Sequence, residues 1–221
     1  MNCDRQKSET AMKPEDLLTY FLFALSAIAA LPLVAWVLMS PYGSELLLCV
    51  TMLYHIAFLA TVVMLPVMLM RFCMKRTRTA ARLWLLVIAV YVPCFVTGGL
   101  LEHQVWSAGW EAFSKRSQPL IAAIKKYERD QGRPPDRLAD LVPDYLSVLP
   151  DTGMRACSEY QYLTGPDTPE GFNENPWVLR ISPPVFGVGF DLVLYFPNQN
   201  YPEHGYGGSL ERVGDWAYVH E

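Results

Sequence analysis

The sequence predicts a three-helix transmembrane region followed by an exported α+β domain, a long helix packed on a small antiparallel sheet. Three observations predict it. Charge is partitioned: the 85 residues from Leu17 to Leu101 hold six charged side chains, whereas the 120 from Glu102 to Glu221 hold 27. Three stretches of the first part carry no formal charge at all. After Leu101 the chain changes character, with 12 of the 17 prolines and 11 of the 14 glycines punctuating short runs of aromatic and β-branched residues. The averages over 221 residues (52% hydrophobic, 18% charged, mean hydropathy +0.14) conceal this division. The net charge of −4 splits into +3 through Leu101 and −7 beyond it, and neither half has the basic footprint of a nucleic-acid binder.

Residues 1–16 read as a short cytoplasmic tail mixing acids and bases. The charge-free stretches are Leu17–Met39, Leu46–Met70 and Leu83–Leu101, of 23, 25 and 19 residues. At about 1.5 Å of rise per residue each is long enough for a hydrocarbon core of roughly 30 Å. None alternates with period two, so a membrane barrel is not supported. Ala27-Ile28-Ala29 imitates a signal-peptide cleavage site, but hydrophobicity continues to Met39, so the first span reads as an uncleaved anchor. The connection Ser40–Glu45 has no Lys or Arg. The connection 71–82 has five (Arg71, Lys75, Arg76, Arg78, Arg82), and the tail has three (Arg5, Lys7, Lys13). Basic segments stay cytoplasmic. The tail and the basic loop are therefore expected inside, and the first loop and residues 102–221 outside. The basic loop is expected to meet anionic headgroups, as a retention signal. Cys157 is the one cysteine after Leu101, which excludes an internal disulfide there.

Trp106, Trp110, Phe113, Leu120, Ile124 and Tyr127 recur at steps of three and four, with Ser117 in the missing turn. This stripe begins where the third span ends, so span and stripe are expected to form one helix of about 45–50 residues. Pro119 should break or kink it, with Ser117 placed to cap a restarted helix. Gly132 is the expected stop. Asp136 is expected to cap a short helix through Leu141, ended by Pro143. Strands are expected at Tyr160–Leu163, Trp177–Ile181, Phe190–Phe196 and Trp216–Val219.

The run Pro119-Leu120-Ile121-Ala122-Ala123-Ile124-Lys125-Lys126-Tyr127 continues through Asp130, Gly132 and Pro135. It then passes Leu138, Leu141-Val142-Pro143, Tyr145-Leu146 and Leu149-Pro150 to Tyr160 and Tyr162. Over residues 119–162 this resembles the end of the first helix and the following loop of type II secretion pseudopilins. The resemblance implies a pilin-like fold, in which Tyr127, Leu138, Leu141 and Tyr145 would seal the helix end against the loop. Pseudopilins have one N-terminal span preceded by a processing site. Here the span feeding the domain is the third, and Arg82–Val87 has no such site, so neither processing nor fibre assembly is expected. Pro150-Asp151-Thr152-Gly153 stands where major pseudopilins often have Asp-Pro-Trp-Gly, with a faint echo at Asn175-Pro176-Trp177, so their calcium loop is not carried over.

Motifs for chemistry are scarce. His103, His204 and His220 lack ligand spacing, and Gly205-Tyr206-Gly207-Gly208 reads as a surface turn, since no Gly-Lys-Ser/Thr follows. Neither a nucleophile elbow nor a zincin motif is present. Asp167, Glu170 and Glu174 suggest a solvated acidic loop, with a divalent cation as the alternative. His55, inside a span, is expected to hydrogen-bond another helix, although an intramembrane polar group is also a functional candidate. Gly98-Gly99 and the small residues at 24–30 suit close helix approach. Trp106 and Trp110 are placed either to anchor at the membrane interface or to pack into the domain. No catalytic, cofactor-binding or metal residue is assigned. The expected function is a structural or protein-interaction component of the bacterial inner membrane, with the bilayer and an envelope or secretion-related protein as partners. The exported domain would be periplasmic or extracellular. A membrane-anchored sensor or ligand-binding module is the alternative, and an enzyme is the least supported class.

Overall fold

The computed structural model describes residues 14–165, 172–183 and 191–220. The basic tail residues, Cys3, Asp167, Glu170 and Phe190 lie outside the described residues. Three long apolar helices and a six-stranded antiparallel sheet make up the architecture. Helices α1 (Pro14–Leu38), α2 (Leu48–Cys73) and α3 (Arg78–Gln131) are each long and apolar enough to cross a membrane. The chain divides into two compact units: a helical unit of Met1–Ala35 with Leu46–Val105, and a sheet unit of Trp36–Glu45 with Trp106–Glu221.

In the helical unit, small residues and rings make the contacts. Ala24, Ala27, Leu31, Tyr54 and Tyr91 are its buried cluster. A Cβ at Gly98 would strike the carbonyl oxygen of Ala27, so the missing side chain is what lets α3 lie against α1. Gly99 faces open space and takes no part. The buried tyrosine hydroxyls are paired. Tyr91 donates its hydroxyl to the Tyr54 carbonyl at 2.6 Å, and the Tyr54 hydroxyl lies 2.6 Å from Ser26 Oγ. Ser26 directs its single proton to the Phe23 carbonyl at 2.7 Å, so Tyr54 is the donor in that pair.

In the sheet unit, α3 continues through Pro119 without interruption, contrary to the restart expected there. Pro119 and Lys115 are both on the exposed side of the helix, so the Lys115 carbonyl that loses its N–H donor is open to hydration. The opposite side, with Trp110, Phe113, Leu120, Ile121 and Ile124, is buried and holds the helix together across that gap. Ser117 is therefore not a cap. It is fully buried within the stripe. Gly132 ends α3 as expected, with φ at +71° and its N–H donating to the Glu128 carbonyl at 2.9 Å. The turn after it is a 3-10 helix, Leu138–Leu141. Its start is secured by Asp140, whose carboxylate accepts the Arg137 N–H at 3.0 Å. Asp136, expected as the cap, instead pairs with Arg133 at 2.7 Å.

The sheet has the order β1-β2-β3-β6-β5-β4, with β1 at Gln161–Thr164, β2 at Trp177–Ile181, β3 at Leu192–Tyr195, β4 at His204–Gly205, β5 at Gly208–Val213 and β6 at Trp216–His220. Both faces are covered, which the period-two alternation of the strands records. Trp177, Leu179, Ile181, Val193, Tyr195 and Trp216 face α3 in the main core. Val178, Leu194 and Val219 point the other way, and together with Phe196 they are covered by Phe172, Tyr201 and Tyr206 from the loops. β4 and β5 were not expected from the sequence. They join at a two-residue turn, Tyr206-Gly207, where both residues have positive φ (58° and 98°). The glycine-rich stretch is thus a turn, and it closes a hairpin.

Candidate functional site

The polar side chains of the sheet unit are engaged chiefly with the backbone and with each other. Among the described residues no group of three or more His, Cys, Asp or Glu could hold a metal ion. His220 lies on the surface with Nε2 3.0 Å from Glu211 Oε2, and Tyr218 donates to Asp191 at 2.6 Å. Burial, reinforced by that bond, pushes the Tyr218 hydroxyl well above its usual pKa. Burial does the same to Tyr160, Tyr162 and Tyr201. Cys157, half-buried against the main core, is raised to about 11 by desolvation, so it is held as an unreactive thiol at neutral pH. His204 and His220 sit on β4 and β6, two positions apart in the strand order with β5 between them, and His103 is in α3.

His55 is on the exposed side of α2. Its Nδ1–H donates to the Thr51 carbonyl of its own helix at 2.9 Å, and its ring meets Phe95 of α3 edge-on at 5.1 Å. Trp110 is buried and Trp106 half-buried; their rings stack at 6.2 Å, and Trp110 packs against Phe113 and Tyr218. The pair packs into the sheet unit.

Two constructions in this unit were not foreseen. The first is an amide network in two loops. Asn175 is buried, donating to the Phe172 carbonyl at 2.8 Å and to Asn200 Oδ1 at 2.7 Å, and accepting the Asn198 N–H at 3.0 Å. Asn200 donates in turn to the Asn173 carbonyl at 2.7 Å. Four asparagines within two short loops were the available signal, and their side chains supply the local turn bonds that such residues favour. Next to it, Trp177 donates its indole N–H to Glu128 of α3 at 3.2 Å. The second is the seating of the first loop. Met39 belongs to the main core and its side chain fills the space left by Gly109, where a Cβ would lie 2.7 Å from Met39 Cε. Ser40 accepts the Arg155 backbone N–H at 3.3 Å. The segment that receives this bond is itself tied: buried Thr152 has its hydroxyl 2.8 Å from the Cys157 carbonyl and accepts the Met154 N–H at 3.1 Å.

Leu138, Leu141, Tyr127 and Tyr145 pack on the main core at the end of α3, with the two tyrosine rings 5.2 Å apart. Just beyond them the chain turns apolar residues outward: Val142 is 37% exposed, Val148 70% and Leu149 37%. Trp36, 60% exposed, and Tyr42 of the first loop, 80% exposed, also face solvent in the described sheet unit. Such side chains suit contact with another apolar surface. No family model, no curated protein and no solved structure matches this chain.

Proposed function

We propose that this chain is a three-span protein of the bacterial cytoplasmic membrane that presents a pilin-like domain on the outer side for contact with another envelope protein. The observation that carries the reading is the seating of the first loop in the sheet unit, through Met39 against Gly109 and Ser40 against Arg155. The rule of positive charge puts that loop and the C-terminal region on one side of the membrane and the basic loop 71–82 on the other. A loop that packs with the sheet must share its compartment, so two independent arguments agree. The helix-on-sheet arrangement and the sealing of the helix end by Tyr127, Leu141 and Tyr145 support the pseudopilin resemblance. The outward-facing Val142, Val148 and Leu149 support a binding role.

The test is site-specific photocrosslinking from position 148 in intact cells, followed by detergent extraction. A discrete adduct with one envelope protein, lost when Val148 and Leu149 are both changed to Ser, is expected. The absence of any adduct from positions 142, 148 and 149 would remove the interaction role.

A further inference from the structure

The helical unit contains a cavity of about 510 Å³ between α1, α2 and α3. Its walls include Tyr20, Phe23, Ala57, Met64, Met68 and Trp84, and are almost entirely carbon. The volume falls within the roughly 300–1,000 Å³ typical of small-molecule sites. A polar occupant would strand its hydrogen-bonding groups there, so the walls select a hydrocarbon chain.

The location adds a second requirement. Met68 precedes Arg71 by three residues and Trp84 follows Arg82 by two, so the cavity wall begins within about 5 Å of helix rise from the basic loop. Two of the cations there are already gathered. The guanidinium carbons of Arg78 and Arg82 lie 5.5 and 5.7 Å from the centre of the Phe72 ring, and Arg78 Nε donates to the Phe72 carbonyl at 3.1 Å. Among the described residues no ion pair joins either arginine to a carboxylate. Glu15 and Asp16, in the first turn of α1, have interactions of their own. Two guanidinium groups sharing one ring repel each other and present planar donor forks suited to a phosphate.

We propose that this is a site for one anionic phospholipid, its acyl chain in the cavity and its phosphate held by Arg78 and Arg82. The site rests on the membrane reading above, and supplies it with a specific lipid contact beyond the general attraction of a basic loop for the inner leaflet. Hydrocarbon cavity and paired cations are neighbours along the helices, within reach of the two parts of one phospholipid.

Native mass spectrometry of the full-length protein in detergent, with equal amounts of dioleoyl phosphatidylglycerol and dioleoyl phosphatidylcholine, tests it. One phosphatidylglycerol should be retained preferentially, and Arg78→Gln and Arg82→Gln should each reduce that preference by about fivefold. Lys75→Gln with Arg76→Gln removes twice the charge of either variant from the same loop and should leave it unchanged. Ala57→Phe, which fills the cavity, should reduce retention of both lipids. Equal retention of the two lipids, or an equal loss in the Lys75/Arg76 variant, overturns the site. Alkaline carbonate washing of membranes separates the two levels. A chain that resists washing yet shows no lipid preference defeats only the lipid site, whereas a chain released by washing defeats the membrane reading and the lipid site with it.

Discussion

Trp216, the first residue of β6, donates its indole N–H to the hydroxyl of Ser117 in α3 at 2.9 Å, across 99 residues of chain. Ser117 passes its own proton to the Ser114 carbonyl at 2.8 Å. Both residues are fully buried. The polar residue that interrupts the helical stripe is therefore the acceptor for the one polar atom of a large buried ring, and the two exist for each other. Ser117→Ala leaves a buried N–H without a partner and should cost about 1–3 kcal/mol. Trp216→Phe loses ring volume as well, but the double variant should be less destabilised than the sum of the two. A chemical-denaturation cycle on the four proteins measures this; strict additivity would show that the bond contributes nothing.

Gly98 and Gly99 form an internal control within the helical unit. Gly98→Leu drives a side chain into the Ala27 carbonyl and should destabilise the helix packing by about 1–3 kcal/mol or more. Gly99→Leu points into open space and should be near neutral. Unfolding in mixed detergent micelles compares them. Equal effects would contradict the close approach of α1 and α3.

Asn175 ties residues 172–175 to residues 198–200 with two amide bonds and makes a third within its own loop. Asn175→Leu keeps the volume and leaves the Asn198 N–H and the Asn200 amide oxygen without their partner. A loss of about 2–4 kcal/mol is expected, combining a broken network with orphaned groups. Faster amide exchange across residues 196–201, ahead of the rest of the sheet, is the readout. Uniform exchange would mean that the network is dispensable.

Alkaline pH should unfold the sheet unit in a defined window. The pKa of Cys157 rises on folding from 9.0 to about 11, and those of Tyr160, Tyr162, Tyr201 and Tyr218 rise from 10.0, mainly through burial. Each raised pKa means that the unfolded chain releases its proton first, so the stabilisation is complete below the unfolded value and is lost as pH climbs through the folded one. Stability should be flat below pH 9 and fall steadily above it, with tyrosinate absorbance appearing at the unfolding transition. Full tyrosine ionisation while the fold persists would contradict the burial of these side chains.

The sequence was most informative where one interaction dominates. Charge-free length located the three helices, the stripe from Trp106 to Tyr127 located the buried side of α3, and Gly132 marked its end. It was least informative where two effects compete. Proline predicts a break on local grounds, but Pro119 stands on the solvent side while Phe113, Leu120 and Ile124 are held by the sheet, and packing prevailed. The Gly208–Val213 strand was not visible because it lies one strand from the sheet edge and exposes three polar residues, Ser209, Glu211 and Arg212, leaving little apolar signal. The contacts of Ser117 and of Ser40 join segments about a hundred residues apart, and no local pattern encodes such a pairing.

The central claim is that the first loop and the sheet unit share one side of the membrane and the basic loop lies on the other. Single cysteines placed at Tyr42→Cys, Val148→Cys and Lys75→Cys, in a chain whose own cysteines are changed to Ser, test it with a membrane-impermeant maleimide applied to intact cells whose outer membrane has been opened. All three positions are exposed, so side of the membrane alone governs their labelling. Positions 42 and 148 should label at once and position 75 only after the cytoplasmic membrane is permeabilised. Labelling of position 75 before permeabilisation, or protection of 42 and 148 on opposite sides, would contradict the account.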